Sequence, residues 1–192
     1  MQAATAIRPT IDMDVSTIAR AKRGDQDAFA ALVRHYDHGL RALAYRLLGD
    51  RDRMDDVLQE AYMKAYRGLP KFRGEAAVGT WLYRIAYNAC LDDLRRTQNV
   101  VLLHSDEEVE WRDTGPDFAD AVGDRSALAD ALDALPPEER AAVLLVDAEG
   151  FDYAAAGEVL GLPAGTVASR LNRARTSLRR ALRDVPEGAQ DR

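Results

Sequence analysis

The chain has one cysteine and three histidines in 192 residues, and that scarcity excludes several kinds of chemistry. A lone Cys90 cannot close an intrachain disulfide, which fits a reducing compartment. It reads as a small apolar packing residue rather than a redox sensor. So few thiols and imidazoles leave a structural zinc site short of ligands. His35 and His38 stand three apart, a spacing that can chelate, yet no further ligand is in view and a solvated helix face is the plainer reading. Apolar runs are short too: none approaches the roughly 20 residues that span a bilayer. The opening residues, MQAATAIRPTIDMD, lack a basic segment followed by a long apolar stretch. A cytoplasmic protein with no direct membrane insertion is expected. No glycine-rich phosphate loop, serine elbow or paired His/Cys arrangement is present, so no catalytic residue, metal or cofactor is expected.

Charge, by contrast, is plentiful and unevenly spread. The net charge of −6 hides four blocks. Residues 16–97 carry more bases than acids, and residues 98–123 carry seven acids against one Arg. Residues 124–158 hold nine acids against two Arg, whereas residues 159–183 hold six Arg and no acid. Screening erases charges beyond about 8–10 Å, so a phosphate backbone meets only the local field. Overall acidity does not exclude DNA.

Hydrophobic periodicity predicts an all-α chain. Phe29, Leu32, Val33, Tyr36, Leu40, Leu43, Ala44 and Leu47 step by three and four, predicting an amphipathic helix over 27–48. A second helix is expected over 52–69, with Met54, Val57, Leu58, Ala61 and Ala65 inward, ending at Leu69-Pro70. A third is expected over 80–96. Residues 97–123 mix turn formers with acids, and read as a linker in which Val100–Leu103 and Trp111 are apolar exceptions. Helices resume over 126–135, 137–150, 153–160 and 164–183. The implied domains are 16–97 and 124–184, joined by an acidic linker over 98–123 and flanked by an extension (1–15) and a tail (185–192).

The segment GLPAGTVASRLNRARTSLRRAL has helix-turn-helix spacing, which presents a second helix to a major groove. Val167, Leu171, Ala174, Leu178 and Leu182 form its buried stripe. Thr166, Ser169, Arg170, Asn172, Arg173 and Arg175 are then the candidate duplex contacts, the forked Arg and Asn side chains suiting base edges. Arg175, Arg179, Arg180 and Arg183 lie further along, where the DNA backbone is the more natural partner. A merely solvated Arg-rich face is the alternative.

Nearer the N-terminus, DDVLQEAYMKAY followed by LPKFRGEAAVGTWLYRIAYNACLDDLRR resembles the second conserved region of extracytoplasmic-function sigma factors, the group 4 members of the sigma-70 family. LDALPPEERAAVLLV and GLPAGTVASRLNRAR are similar to their fourth region, in the right order. The finer text is most similar to the SigM-type members of actinomycetes. The resemblance implies a region 2 helical bundle and a region 4 helix-turn-helix domain in an adaptor that brings core RNA polymerase to minus-35 and minus-10 promoter elements and promotes melting. Its implied partners are the β′ clamp coiled coil, the β flap, promoter DNA both duplex and single-stranded, and an anti-sigma factor, often membrane-tethered. The acidic linker would thread the enzyme's RNA exit region.

In that role Asp56, Gln59, Glu60 and Met63 form the polymerase-binding face, acids and amides there giving orientation and on-rate. An ordinary Glu60–Lys64 pair on an exposed face is the alternative. Opening a promoter requires a platform for an unstacked base. The loop Phe72, Arg73, Gly74, Glu75 and Ala76, with Trp81, Tyr83, Arg84, Tyr87 and Asn88 on the helix after it, is the candidate minus-10 surface. Trp81 could instead be a core anchor, and Tyr83 and Tyr87 packing residues. Gly157 and Ala168 depart from the family pattern, and Gly157 is expected to leave its helix loosely set, at about 1 kcal/mol relative to Ala. Two rivals stay open: a helix-turn-helix regulator that ignores core polymerase, and a sigma-like protein that binds polymerase or an anti-sigma factor without initiating.

Overall fold

A computed structural model describes the backbone of residues 14–103 and 127–183, and the side chains of 14–97 and 127–183. Most of the N-terminal extension, the acidic segment from residue 104 with Trp111, and the tail lie outside the described residues. Among the described residues there are eight helices and no strand. None of these helices is long and apolar enough to cross a membrane.

The first four helices are α1 (Val15–Lys22), α2 (Gln26–Leu48), α3 (Arg51–Gly68) and α4 (Val78–Leu103). Their starts follow one rule. Asp14, Asp25 and Asp50 each accept a hydrogen bond from a backbone N–H of the first turn, as at Asp50 Oδ1 from Arg53 N at 2.8 Å. Gly49, at φ 69°, ends α2 in the left-handed conformation a C-terminal glycine adopts most cheaply. The α2, α3 and α4 stripes close one core around Leu32, Leu40, Leu43, Met54, Leu58 and Leu82, each at most 1% exposed. Arg53 ties α3 to α4 through Asp93 at 2.5 Å. Cys90 lies fully inside this core, and burial pushes its thiol up to about 12, consistent with packing.

Two features differ from the expected elements. The helix α1 was not expected: Ile18 and Ala21 are its main inward residues, too short a stripe to stand out. The helix α4 runs to Leu103 rather than ending near residue 96. No proline or glycine falls between Arg96 and Leu103, so a change in composition marks no break in the backbone.

The second half comprises α5 (Ala127–Asp133), α6 (Pro137–Val143), a π turn (Leu144–Ala148), α7 (Tyr153–Leu160) and α8 (Ala164–Arg183). Ala131, Leu132, Leu135, Val143, Leu171, Ala174 and Leu178 pack together between α5, α6 and α8. Arg140 pins this corner. Its guanidinium donates to the Leu135 carbonyl at 3.0 Å and to the carbonyls of Asp133 and Arg46, the last on α2.

The glycine in α7 has a different role from the one its propensity suggests. A Cβ at Gly157 would stand 2.5 Å from the Leu162 carbonyl oxygen, part of the turn that leads into α8. Leu162 N in turn donates to the Gly157 carbonyl at 2.9 Å. The glycine therefore permits the tight return of the chain and does not loosen it. Gly157→Ala is expected to destabilise the protein by about 1–3 kcal/mol, the usual cost of overpacking, read as a lower urea midpoint with an unchanged slope.

The two halves share an interior. One continuous set of buried side chains runs from α2–α4 through Ala141, Leu145, Phe151, Ala156, Val159, Leu160 and Val167.

Candidate nucleic-acid interface

Three surfaces carry the expected site residues. On α3, Asp56, Gln59, Glu60 and Met63 are all exposed on the side away from the core. Glu60 pairs with Lys64 at 2.8 Å, which holds its carboxyl below the usual range. Beside them Phe29, Tyr62, Met63 and Tyr66 line a shallow, largely apolar depression of about 550 Å³. Phe29 and Tyr66 meet edge to face at 5.0 Å, and Tyr62 Oη donates to Asp37 at 2.8 Å. Sequence reasoning missed Phe29 and Tyr66. The signal was available: Tyr66 stands off the Met54–Ala61 stripe, where a helix has no internal use for an aromatic.

The second surface is the loop between α3 and α4. Phe72 stacks at a tilt on Trp81 with centroids 5.2 Å apart, and Lys22 Nζ donates to the Phe72 carbonyl at 2.6 Å. Gly74 turns the loop at φ +74°, leaving Arg73 and Glu75 more than three-quarters exposed. Lys71, Arg73, Glu75, Ala76 and Arg84 join the two rings around a cleft of about 320 Å³. Asn88 is exposed one turn beyond Arg84. Trp81 is half-buried, so it both anchors the loop and lines the cleft.

Tyr83 and Tyr87 are elsewhere. They are 2% and 3% exposed and face the second half of the chain. Tyr83 Oη donates to Glu149 Oε2 at 2.6 Å, and its ring meets Phe151 edge-on at 5.0 Å. Burial first, then the Glu149 carboxylate, hold this phenol well above its ordinary range. Tyr87 is raised too, by burial and then by Glu138.

The third surface is α8. Ser169, Asn172 and Arg173 are exposed, with Thr166 half-buried behind them. Ser169 Oγ donates to the Thr166 carbonyl at 2.9 Å. Arg170 is only 19% exposed and pairs with Glu138 at 2.8 Å. Arg173 pairs with Glu139 at 3.0 Å and Arg175 with Asp147. The basic leading face of α8 is thus matched arginine by acid to α6 and its π turn. Further along, Thr176, Arg179, Arg180 and Arg183 border an open groove of about 410 Å³, a suitable track for a phosphate backbone.

Residues 32–100 match the model of sigma-70 region 2, and residues 125–178 that of sigma-70 region 4. Over 169 residues the chain is 40% identical to the ECF RNA polymerase sigma factor SigM of Mycobacterium tuberculosis, covering 88% of this chain and 84% of that one. The chain belongs to the ECF RNA polymerase sigma factors. Among other family members, SigW of Bacillus subtilis is 33% identical, with 88% of this chain and 96% of SigW covered. Solved structures share the fold. RpoE of Bartonella quintana, crystallised with the anti-sigma factor NepR, superposes with a TM-score of 0.70 at 27% identity, covering 82% of this chain and 98% of RpoE. CnrH, in complex with the cytosolic domain of CnrY, gives 0.64 at 26% identity, with 88% and 96% covered. This sigma factor therefore carries region 2 on α2–α4 and region 4 on α5–α8, and the three surfaces fall largely within those two regions, with Phe29, Arg179, Arg180 and Arg183 just outside the matched residues.

Proposed function

We propose that the chain joins core RNA polymerase, takes it to promoters and helps open them, dividing the work between residues 16–97 and 124–184. The first domain docks through Asp56, Gln59, Glu60 and Met63 on the β′ clamp coiled coil. Its cleft of Phe72, Arg73, Gly74, Glu75, Ala76, Trp81 and Arg84, with Asn88 at the margin, holds an unpaired minus-10 base. The second lays α8 in the minus-35 major groove and meets the β flap. An anti-sigma factor is its proposed regulator, as NepR is named for RpoE. The observation that carries this reading is that both regions stand in order on one chain, aligned over most of the length of a known sigma factor. Purified core enzyme, this chain and templates with randomised minus-35 and minus-10 elements provide the test. Holoenzyme and run-off transcripts are expected. Duplex binding without holoenzyme would indicate a conventional regulator, and holoenzyme without transcripts a sigma-like interaction protein.

Asn88→Ala is expected to lower open-complex formation about tenfold, the loss of one base-reading contact of about 1–3 kcal/mol. Core binding should stay unchanged. Permanganate footprinting alongside a core-binding titration makes the check, and equal loss in both would remove Asn88 from the cleft.

A further inference from the structure

We infer that Glu139 on α6 aims Arg173 at the minus-35 base it reads, so that discrimination among bases depends on an acid that does not itself touch DNA. This role rests on α8 being the minus-35 major-groove helix, as proposed above.

An acid beside a DNA-binding helix is unexpected on charge alone, because it repels the phosphates that arginines attract. Three acids nevertheless stand against α8, and they hold their arginines at different nitrogens. Asp147 takes Arg175 from the side, at Nε (3.1 Å) and at Nη2, and leaves one terminal nitrogen over. Glu138 takes Arg170 at Nη2, 2.8 Å away, so Arg170 must release that acid before it can offer a complete fork. Glu139 accepts from Arg173 at Nε, 3.0 Å away, and at that nitrogen alone among the described hydrogen bonds. Of the three arginines, Arg173 is thus the one left with both terminal nitrogens for an end-on pair of bonds to guanine O6 and N7.

Exposure fits this division. The Arg173 side chain is 63% exposed and that of Glu139 is 16% exposed, so the acid is the fixed partner and the arginine the outstretched one. Glu139 sits in the first turn of α6, where a carboxylate is favoured, and α6 packs on α8 through Val143 and Leu171. Asn172, Thr176 and Ser177 line a shallow hollow of about 340 Å³ with this pair, so the fork stands among hydrogen-bonding side chains. A long exposed arginine has many rotamers, and fixing one on binding costs entropy. The Glu139 bond selects one beforehand. It raises the reward for the right base without adding any attraction for phosphate, and it keeps the fork from swinging to the backbone when the base is wrong.

The test compares the full chain with Glu139→Ala, Glu139→Gln and Arg173→Ala, each free and in holoenzyme. The readout is competition among minus-35 duplexes changed at one base pair at a time. Arg173→Ala first marks the base pair that Arg173 reads. Glu139→Ala should lower discrimination at that base pair about tenfold, toward the smaller end of what a bidentate contact contributes, and leave other positions within about twofold. Binding to the mismatched duplex should hold or rise, because an acid beside the phosphates is gone; a merely structural loss would lower binding to both duplexes. Glu139→Gln, whose amide oxygen still accepts from Nε, should keep most of the discrimination. Arg173→Ala with Glu139→Ala should discriminate no worse than Arg173→Ala alone. Uniform loss at every base pair, unchanged discrimination, an additive double variant or a glutamine variant as poor as alanine would each overturn the role of Glu139. So would an Arg173→Ala that marks no base pair. Failure to form holoenzyme strikes the sigma reading instead, and duplex discrimination by the free chain still decides the role of Glu139.

Discussion

Replacing Met63 and Tyr66 together by alanine is expected to weaken binding to core polymerase by about a hundredfold. Both are exposed apolar side chains on α3, at 48% and 39%, and they border the depression that also takes in Phe29 and Tyr62. Such aromatic and methionine side chains, clustered beside acids and amides, have the composition of an interface centre, where truncation of one anchor commonly costs about 2 kcal/mol or more. The neighbouring Asp56 and Glu60 are open to solvent and should act mainly on the association rate. Fluorescence anisotropy of labelled chain with core enzyme measures the loss, and an unchanged melting temperature shows that the fold is intact. Since neither side chain lies on α8, binding to duplex minus-35 DNA should not change. A parallel fall in both would mean that the substitutions act through the fold.

The second large effect belongs to α8. Arg170→Ala with Arg173→Ala should cut holoenzyme affinity for minus-35 duplex by roughly 30-fold to 1,000-fold, taking about 1–2 kcal/mol for each forked contact, the lower part of the range for such pairs. The slope of log K against log salt should fall by about one for each arginine that meets a phosphate and by less where it meets a base. In the free protein these residues pair with Glu138 and Glu139, so the substitutions leave two acids on α6 without their partners. Glu139 is 16% exposed, and a partly buried carboxylate without its cation makes a small loss of stability the expected side effect. An unchanged salt slope would place both arginines outside the interface.

The fold was legible where local physics decides it. Long stripes such as Leu32–Tyr36–Leu40–Leu43–Leu47 leave few choices, and Gly49 and Leu69-Pro70 stop helices by backbone chemistry. The short α1 was not legible, because Ile18 and Ala21 gain their role only from α2 packed alongside. The candidate surfaces were legible in part. Exposure on α3 and at Arg73, Arg84 and Asn88 follows from helical phase and loop chemistry. The sites of Tyr83 and Arg170 do not: one depends on Glu149, 66 residues away, and the other on Glu138. Both tyrosine readings were open in the sequence, and a phenol's surroundings are a tertiary fact. Gly157 shows the same limit, since propensity sees a missing side chain and not the Leu162 carbonyl that needs the room.

The π turn at Leu144–Ala148 makes chain length more important here than side-chain identity. One residue beyond a regular helical turn rotates every downstream side chain by about 100°. That phase sends Asp147 to Arg175 while Glu149 reaches Tyr83. Deleting a single residue from the segment would rotate both acids off their targets together, whereas a substitution at exposed Ala148 would leave both contacts in place. Natural relatives that lose or gain one codon at this point are expected to lack both contacts, even where every contact residue is retained.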